Sequence, residues 1–143
     1  MSKINCFMGK YFFLSNFYEV PVIYNGVCYG SNEAAFQAQK TTNENKRLEF
    51  CSLNPSQAKS LGRRLILRPD WEDIKTQVMY EICFAKFTQN KHLGNKLIET
   101  GNSYLEEGNT WGDKVWGTVD GDGENRLGEI LMKVREQIHE FVL

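Results

Sequence analysis

The sequence has little of several features that would assign it to a common functional class. It contains only two histidines, His92 and His139, and four cysteines without a CxxC pair. The ligand spacing of a zinc site or a two-histidine iron site is therefore missing. No apolar run approaches the ~18 residues of a membrane span, and no signal segment is recognisable. These absences predict a cytoplasmic protein with reduced thiols and without a metal or cofactor.

Length and charge restrict the class further. With 143 residues, 41% hydrophobic and 24% charged, the chain is long enough to bury a core and does not have a disordered composition. Its 17 basic residues nearly balance 18 acidic ones, whereas a dedicated duplex-DNA binder is clearly basic. No repeat, low-complexity tract or linker interrupts the sequence. We therefore expect a single domain over residues 1–143.

The charges are distributed unevenly along the chain. Residues 40–70 carry seven basic and three acidic side chains, and residues 99–129 carry two basic and eight acidic ones. This asymmetry is typical of a protein with a polyanion-facing side and a separate acidic site. Two solvated surfaces are the simpler interpretation, which charge alone favours.

Local signals predict a mostly helical α+β domain with a small antiparallel sheet. Asn25-Gly26 lies between two short β-type runs (22–24 and 27–29) and is a hairpin signal of the type I′ turn. Capping residues and periodic apolar positions then predict helices near 33–40, 55–62, 71–85, 93–98 and 127–141. The last of these carries an apolar stripe that ends at Phe141.

Lys86 is the most informative lysine in the sequence. At about 100° per residue, it lies between Ile82 and Met79 in the apolar arc of its helix. A buried lysine is costly without an anionic partner, so this position suggests a functional ion pair. The alternative is an aliphatic stem that reaches past the edge of the core to water.

The helix over 33–40 has two contrasting faces. Three alanines form a small-residue face suited to close packing, and the opposite face carries Glu33, Phe36, Gln37 and Lys40. A polar face of this kind is usually solvated. An aromatic ring among Glu, Gln and Lys is, however, also typical of the wall of a ligand cleft.

Two later segments contain chemically active residues in irregular sequence. Residues 105–117 are too rich in Gly and Asn for a helix but hold Trp111, Trp116 and three carboxylates, which suit a base and an oxocarbenium-like sugar. A buried Trp pair that pins a loop is the alternative, slightly favoured by composition. Residues 120–125 fit neither an EF-hand nor a GxGxxG motif and leave only a weak candidate anion site at a helix start.

Several motifs, in this order, resemble the NADAR/YbiA-like family of small N-glycosidases. They comprise Phe7-Met8-Gly9, Leu14-Ser15-Asn16-Phe17, the run from Ser31 to Lys40, Pro55 through Gly62-Arg63, Asp70-Trp71, Met79, Lys86-Phe87, the run from Glu107 to Asp113, Trp116-Gly117, and Gly123 to Gly128. The resemblance covers nearly the whole chain. Glu124 departs from the pattern, because many relatives carry a basic residue there.

The resemblance implies hydrolysis of an N-glycosidic bond on a phosphorylated ribose, without a metal. Glu33 and Asp113 would share two tasks, stabilising the sugar cation and transferring a proton. Which residue performs which task stays open. Lys86 would pair with one of these carboxylates or hold a phosphate oxygen. The substrate-binding residues would be Ser15, Asn16, Phe17, Trp111, Trp116 and Asn125.

Three functions follow as hypotheses. The first is an N-glycosidase for ribosylamino-pyrimidine phosphates of the riboflavin-pathway type. The second is a glycohydrolase that removes ADP-ribose from guanine in nucleic acid, motivated by the basic stretch over 40–70. The third is a non-catalytic sensor of ADP-ribose or a nucleotide. All three have a small-molecule ribose phosphate or ADP-ribose as partner, and only the second also needs nucleic acid.

Overall fold

The computed structural model describes residues 2–142, with side chains through residue 140. In that range, strands lie at Lys3–Ile4 (β1), Glu19–Tyr24 (β2), Val27–Ser31 (β3) and Tyr104–Leu105 (β4). The α-helices are Asn32–Ala38 (α1), Glu44–Leu48 (α2), Pro55–Gly62 (α3), Trp71–Gln89 (α4), Lys91–Glu99 (α5) and Arg126–Val142 (α6). Two 3₁₀ helices span Gly9–Leu14 and Glu49–Ser52. The predicted class, mostly helical α+β with a small antiparallel sheet, is confirmed.

The predicted hairpin is present. β2 and β3 pair antiparallel, and Asn25 and Gly26 adopt φ angles of 50° and 80° between them. Both central residues of a type I′ turn need positive φ, which Asn and Gly tolerate best. Val22 and Tyr29 are opposite each other in the pairing and are both buried, so one face of the hairpin belongs to the core.

Two helix starts follow the predicted capping chemistry. The Ser31 hydroxyl accepts a hydrogen bond from the Ala34 amide at 3.1 Å and begins α1. Asn54 and Gln57 form a reciprocal capping box at the start of α3. Gly62, predicted as the cap at the other end, is the last residue of α3, and Arg63 is the cap.

The chain forms two compact units, one from the segments up to Ser15 and from Asn90 onward, the other from Asn16–Gln89. In the unit Asn16–Gln89, α1 packs against α3, α4 and the hairpin. Every residue of α1 is buried, so the expectation of a solvated polar face is wrong. The physical reason is that neighbouring elements cover α1 on its polar side as well as on its alanine side.

The other unit joins distant parts of the chain. β1 pairs with β4 in parallel, a contact that local sequence signals did not predict. Beside β4, α6 buries the predicted stripe of Leu127, Ile130, Leu131, Val134 and Ile138, whereas the Phe141 side chain lies outside the described residues. The Arg135 guanidinium donates to Thr100 Oγ1 and the Ser103 carbonyl, both at 2.9 Å, and ties α6 to the chain that follows α5.

Glu106 is a buried carboxylate of this unit. It accepts a hydrogen bond from the Thr118 hydroxyl and pairs with the Lys3 ammonium at 2.8 Å. The hydrogen bond from Lys3 and then that from Thr118 hold the pKa of Glu106 below its usual value of 4.5.

Among residues 2–142, none of the helices combines the length and the apolar character that a bilayer crossing requires.

The lowered pKa of Glu106 gives a testable pH dependence of stability. Its stabilisation is fully present above the ordinary pKa and is lost as the pH falls through the lower folded-state pKa. We expect the free energy of unfolding to fall more steeply for the wild type than for Glu106→Gln between about pH 5 and pH 3. Urea denaturation at a series of pH values measures this difference. Parallel curves for the two proteins would contradict it.

Candidate active site

Glu33 lies in the first turn of α1, where the positive end of the helix dipole favours a carboxylate. Only 8% of the residue is exposed. Its amide donates to the Asn16 carbonyl at 3.0 Å, so Asn16 and the Ser31 cap together fix the start of the helix. Glu33 is thus a buried acidic side chain at a helix start that hydrogen bonds hold in place.

Gln37 is the side-chain partner of Glu33. One turn further along α1, its Nε2 donates to Glu33 Oε2 at 2.7 Å. Sequence periodicity placed both residues on one face but did not identify this hydrogen bond. The signal was the i, i+4 spacing of an amide and a carboxylate, which brings two side chains of a helix together.

Asn16, expected to bind substrate, holds neighbouring protein groups. Its Oδ1 accepts from Asn32 Nδ2 at 3.4 Å, and its Nδ2 points to Met79 Sδ at 3.5 Å. With its carbonyl on the Glu33 amide, Asn16 links the chain before the hairpin to α1 and α4. Its contact with substrate stays a prediction.

Four cations surround the end of α1. Burial lowers the pKa of Lys40, the Glu33 charge raises it, and the charges of Arg63, Lys75 and Lys59 lower it again. Lys75 pairs with Glu72, whereas Lys40, Lys59 and Arg63 form no ion pair with a carboxylate of the described chain. We call these last three residues the Lys40 cluster. Its local excess of positive charge suits an anionic ligand.

Phe17 and Phe36 belong to the same unit but contact different neighbours. Lys59 Nζ lies 5.8 Å from the centroid of the Phe17 ring, so Phe17 is next to the Lys40 cluster. Phe36 packs on Trp71 with ring centroids 5.0 Å apart, and both residues are buried. Phe36 therefore stabilises the contact between α1 and α4.

Lys86 is fully buried, with 0% exposure, as the periodicity of α4 predicted. Its Nζ lies 5.4 Å from the centroid of the Tyr18 ring and 5.0 Å from that of Phe87. The ammonium does not reach water, so the alternative of a snorkelling side chain is wrong. Aromatic faces attract a cation, especially where water is excluded. The expected pairing with Glu33 or Asp113 stays a prediction.

The other expected site residues belong to the unit formed by the segments up to Ser15 and from Asn90 onward, where Asp113 organises a loop. Asp113 Oδ1 accepts from the amides of Val115 and Trp116 at 3.0 and 2.9 Å, and the Asn109 side chain bonds to both the amide and the carbonyl of Asp113. Trp111 is 62% exposed and Trp116 is half-buried, so the alternative of a buried Trp pair is wrong. The loop presents an indole to solvent because side chains other than Trp111 close it.

The candidate anion site at the start of α6 is also wrong. The amides of Glu124, Asn125, Arg126 and Leu127 donate to loop carbonyls of Lys114, Gly117, Val115 and Trp116. These amides are therefore already used by the protein. Asp120 and Gly121 have φ angles of 53° and 81° in a tight turn, and within residues 2–142 no group of three or more acidic, His or Cys side chains is arranged for a metal.

Asn125 and Ser15 are fixed in the same unit as Asp113. Asn125 Oδ1 accepts from the Glu107 amide at 2.9 Å, and its Nδ2 donates to the Leu105 carbonyl at 2.9 Å and the Tyr104 hydroxyl at 3.2 Å. Ser15 caps the first 3₁₀ helix through its amide. Asn125 thus clamps the strand end to α6, and the substrate contacts of both residues stay predictions.

A buried carboxylate on a helix that ends beside three cations without carboxylate partners in the described chain is an arrangement suited to a small anionic glycoside. The NADAR domain family matches residues 6–139, so the chain belongs to this family, and the resemblance noted in the sequence is confirmed. Its relatives place it among the hydrolases that act on N-glycosyl bonds.

Individual relatives agree with this assignment. The N-glycosidase YbiA of Escherichia coli is 39% identical over 128 residues, which cover 87% of this chain and 79% of that protein. The NMR structure of Escherichia coli YbiA superposes with a TM-score of 0.87 at 36% identity, covering 98% of this chain and 86% of that one. A riboflavin biosynthesis protein of Vibrio vulnificus is 40% identical over 134 residues, 90% of this chain but only 36% of that longer protein.

Asp113 permits a test that separates loop structure from charge. Asp113→Ala removes the acceptor of the Val115 and Trp116 amides, so we expect faster hydrogen exchange at both amides. Asp113→Asn retains an Oδ1 acceptor and should preserve their protection. Exchange followed by NMR measures this. Equal protection in wild type and Asp113→Ala would show that the carboxylate does not hold the loop.

Proposed function

We propose that the chain hydrolyses the N-glycosidic bond of a phosphorylated ribose N-glycoside of the riboflavin-pathway type. The observation that carries the proposal is the buried Glu33 carboxylate at the start of α1, with the unpaired Lys40 cluster at the other end of the same helix. The former suits a sugar cation and the latter a phosphate. The names of the relatives, N-glycosidase YbiA and a riboflavin biosynthesis protein, support this substrate class.

Cleavage of such a bond builds positive charge on C1′ and the ring oxygen as the base departs. A carboxylate beside C1′ lowers the energy of this oxocarbenium-like transition state. Water then adds to C1′, and the products are the free base, which gains a proton, and ribose 5-phosphate. Glu33 and Asp113 are our candidates for charge stabilisation and proton transfer.

The remaining contacts of the substrate follow from its chemistry. A phosphate monoester needs cationic donors, which Lys59 of α3 and its cap Arg63 would supply beside the partly buried Lys40. The exposed Trp111 and the half-buried Trp116 would stack on the base and the sugar. Lys86 would supply the counter-charge for one catalytic carboxylate.

Glu33→Gln tests the carboxylate directly. The amide keeps the shape of the side chain but removes its charge, so we expect release of the base to fall at least about 100-fold, equal to ~2.7 kcal/mol of transition-state stabilisation. Chromatography of the released base from a ribosylamino-pyrimidine phosphate measures the rate. Glu44→Gln, at an exposed position of α2, removes the same charge and should keep wild-type activity. Unchanged turnover in Glu33→Gln would exclude the assigned role.

Lys86→Met tests the buried ammonium. Methionine retains most of the packing but not the charge, so we expect activity to fall at least about tenfold, or ~1.4 kcal/mol. Ile82→Ala, one turn earlier in α4, should instead cost roughly 2–5 kcal/mol of stability. Turnover assays and urea denaturation of both variants separate the two effects. A fully active Lys86→Met enzyme would mean that the lysine only fills the core.

The Lys40 cluster also favours a second candidate, removal of ADP-ribose from guanine in nucleic acid. Three cations without carboxylate partners exceed what one phosphate needs, whereas a pyrophosphate or a DNA strand would engage all of them. This substrate would be bound more tightly at low salt, because each phosphate contact releases counterions.

The two substrates can be distinguished on the same variants. We expect Lys59→Gln/Arg63→Gln to raise KM at least about fivefold for the riboflavin-type substrate, because the phosphate loses donors. Lys46→Gln, which removes a charge from α2, is the control. If cleavage of an ADP-ribosylated oligonucleotide is faster and falls steeply with salt, the second candidate replaces the first. Tight binding of ADP-ribose in calorimetry without any released base would instead indicate a sensor.

A further inference from the structure

The Gln37 amide has an unusual environment. The residue is only 6% exposed, and its Nε2 donates to Glu33 Oε2 at 2.7 Å. Its Oε1 is buried and has no hydrogen-bond partner within residues 2–142. A buried acceptor without a donor costs free energy, so the fold keeps this orientation of the amide at the expense of stability.

The hydrogen bond to Glu33 explains the orientation. A rotation of the amide by 180° would place Oε1 against Glu33 Oε2. Two acceptors repel each other unless the carboxyl group is protonated, whereas an N–H group bonds to the ionised form. The observed orientation therefore matches an ionised Glu33.

Helix α3 fixes the Gln37 side chain from the other side. A Cβ atom at Gly62 would lie 1.9 Å from Gln37 Oε1 and 2.7 Å from its Cδ. Any residue other than glycine would therefore displace the amide. Gly62 does not have a positive φ, so what glycine supplies here is space for the amide and not a special backbone conformation.

The charges near Glu33 also favour its ionised form. The helix dipole of α1 and the Lys40 ammonium both favour the carboxylate. The elements packed against α1 carry six further cations, namely Lys46 and Arg47 of α2, Lys59 of α3, its cap Arg63, and Lys75 and Lys86 of α4. The carboxylates of these elements are all exposed to solvent: Glu19, Glu44, Glu49, Glu72, Asp73 and Glu81. In addition to these charges, the Gln37 hydrogen bond fixes the direction of a carboxylate oxygen of Glu33.

We propose that Gln37 is the positioning residue of Glu33. It holds the carboxylate ionised and in one orientation, and Gly62 locks Gln37 in place. Glu33 then acts as the fixed anion that stabilises the sugar cation, and the proton for the departing base comes from another group. This assignment rests on the proposed N-glycosidase function. It gives Glu33 the role of charge stabilisation, which the sequence left open between Glu33 and Asp113.

The primary variant is Gln37→Met, which keeps the length of the side chain but removes the donor. We expect kcat to fall at least about tenfold with KM changed less than about threefold, because orientation of the anion matters in the transition state. The acid limb of the kcat–pH profile should move to higher pH. Gln37→Glu, which places a second carboxylate against Glu33, should move it further.

Two further variants separate positioning from packing. Gly62→Ala leaves the chemistry of Gln37 intact but displaces it, so it should reproduce the loss in kcat even if Gln37→Met folds poorly. Gln39→Met is the matched control, because Gln39 is equally buried in the same segment but donates to Tyr29 and the Ala35 carbonyl. It should lower the melting temperature without moving the pH profile.

A measurement without turnover distinguishes failure of this proposal from failure of the proposed function. In ¹³C-glutamate-labelled protein, the Glu33 carboxyl signal should titrate at higher pH in Gln37→Met than in wild type. That result would support the positioning role even if no substrate were cleaved. An unchanged titration, or kcat–pH profiles identical to wild type in both Gln37→Met and Gly62→Ala, would overturn it.

Discussion

The interaction on which the candidate site depends is the stabilisation of a carboxylate inside a helix-packed core. Glu33 is removed from water by α1's neighbours, and an unsupported charge in such a place would be strongly unfavourable. The first turn of α1, the Gln37 amide and the nearby Lys40 charge replace the lost hydration. The helix start depends in turn on the Ser31 cap, and the Gln37 amide depends on the i, i+4 spacing and on the close approach of α3 at Gly62.

The parts of this structure that sequence predicts well are those decided within a few residues. The Asn25-Gly26 turn and the Asn54 capping box follow from the conformational and hydrogen-bonding properties of single residues. The burial of Lys86 also follows from local information, because helical periodicity places Lys86 on the apolar face of α4. The general activity, hydrolysis of an N-glycosyl bond, was predicted from the family resemblance and not from these local signals.

The parts that sequence did not predict depend on contacts between distant residues. α1 has the pattern of a half-solvated helix, and only the packing of α3, α4 and the hairpin shows that Glu33 and Gln37 are buried. The start of α6 has the composition of an anion site, but loop carbonyls some ten residues earlier in the chain occupy its amides. In both cases tertiary structure decides what a local pattern leaves open.

The arrangement of the two units along the chain has a consequence for biosynthesis. Asn16–Gln89 is one continuous stretch, so the unit that contains Glu33, Gln37 and Lys86 can fold as soon as that stretch leaves the ribosome. The other unit pairs β1 with β4, whose residues are about 100 positions apart, and so it must wait. Lys3 and Ile4 therefore cannot pair with β4 until residues 104 and 105 have been synthesised. The segment that contains Glu33 is therefore synthesised in full before the loop that presents Trp111.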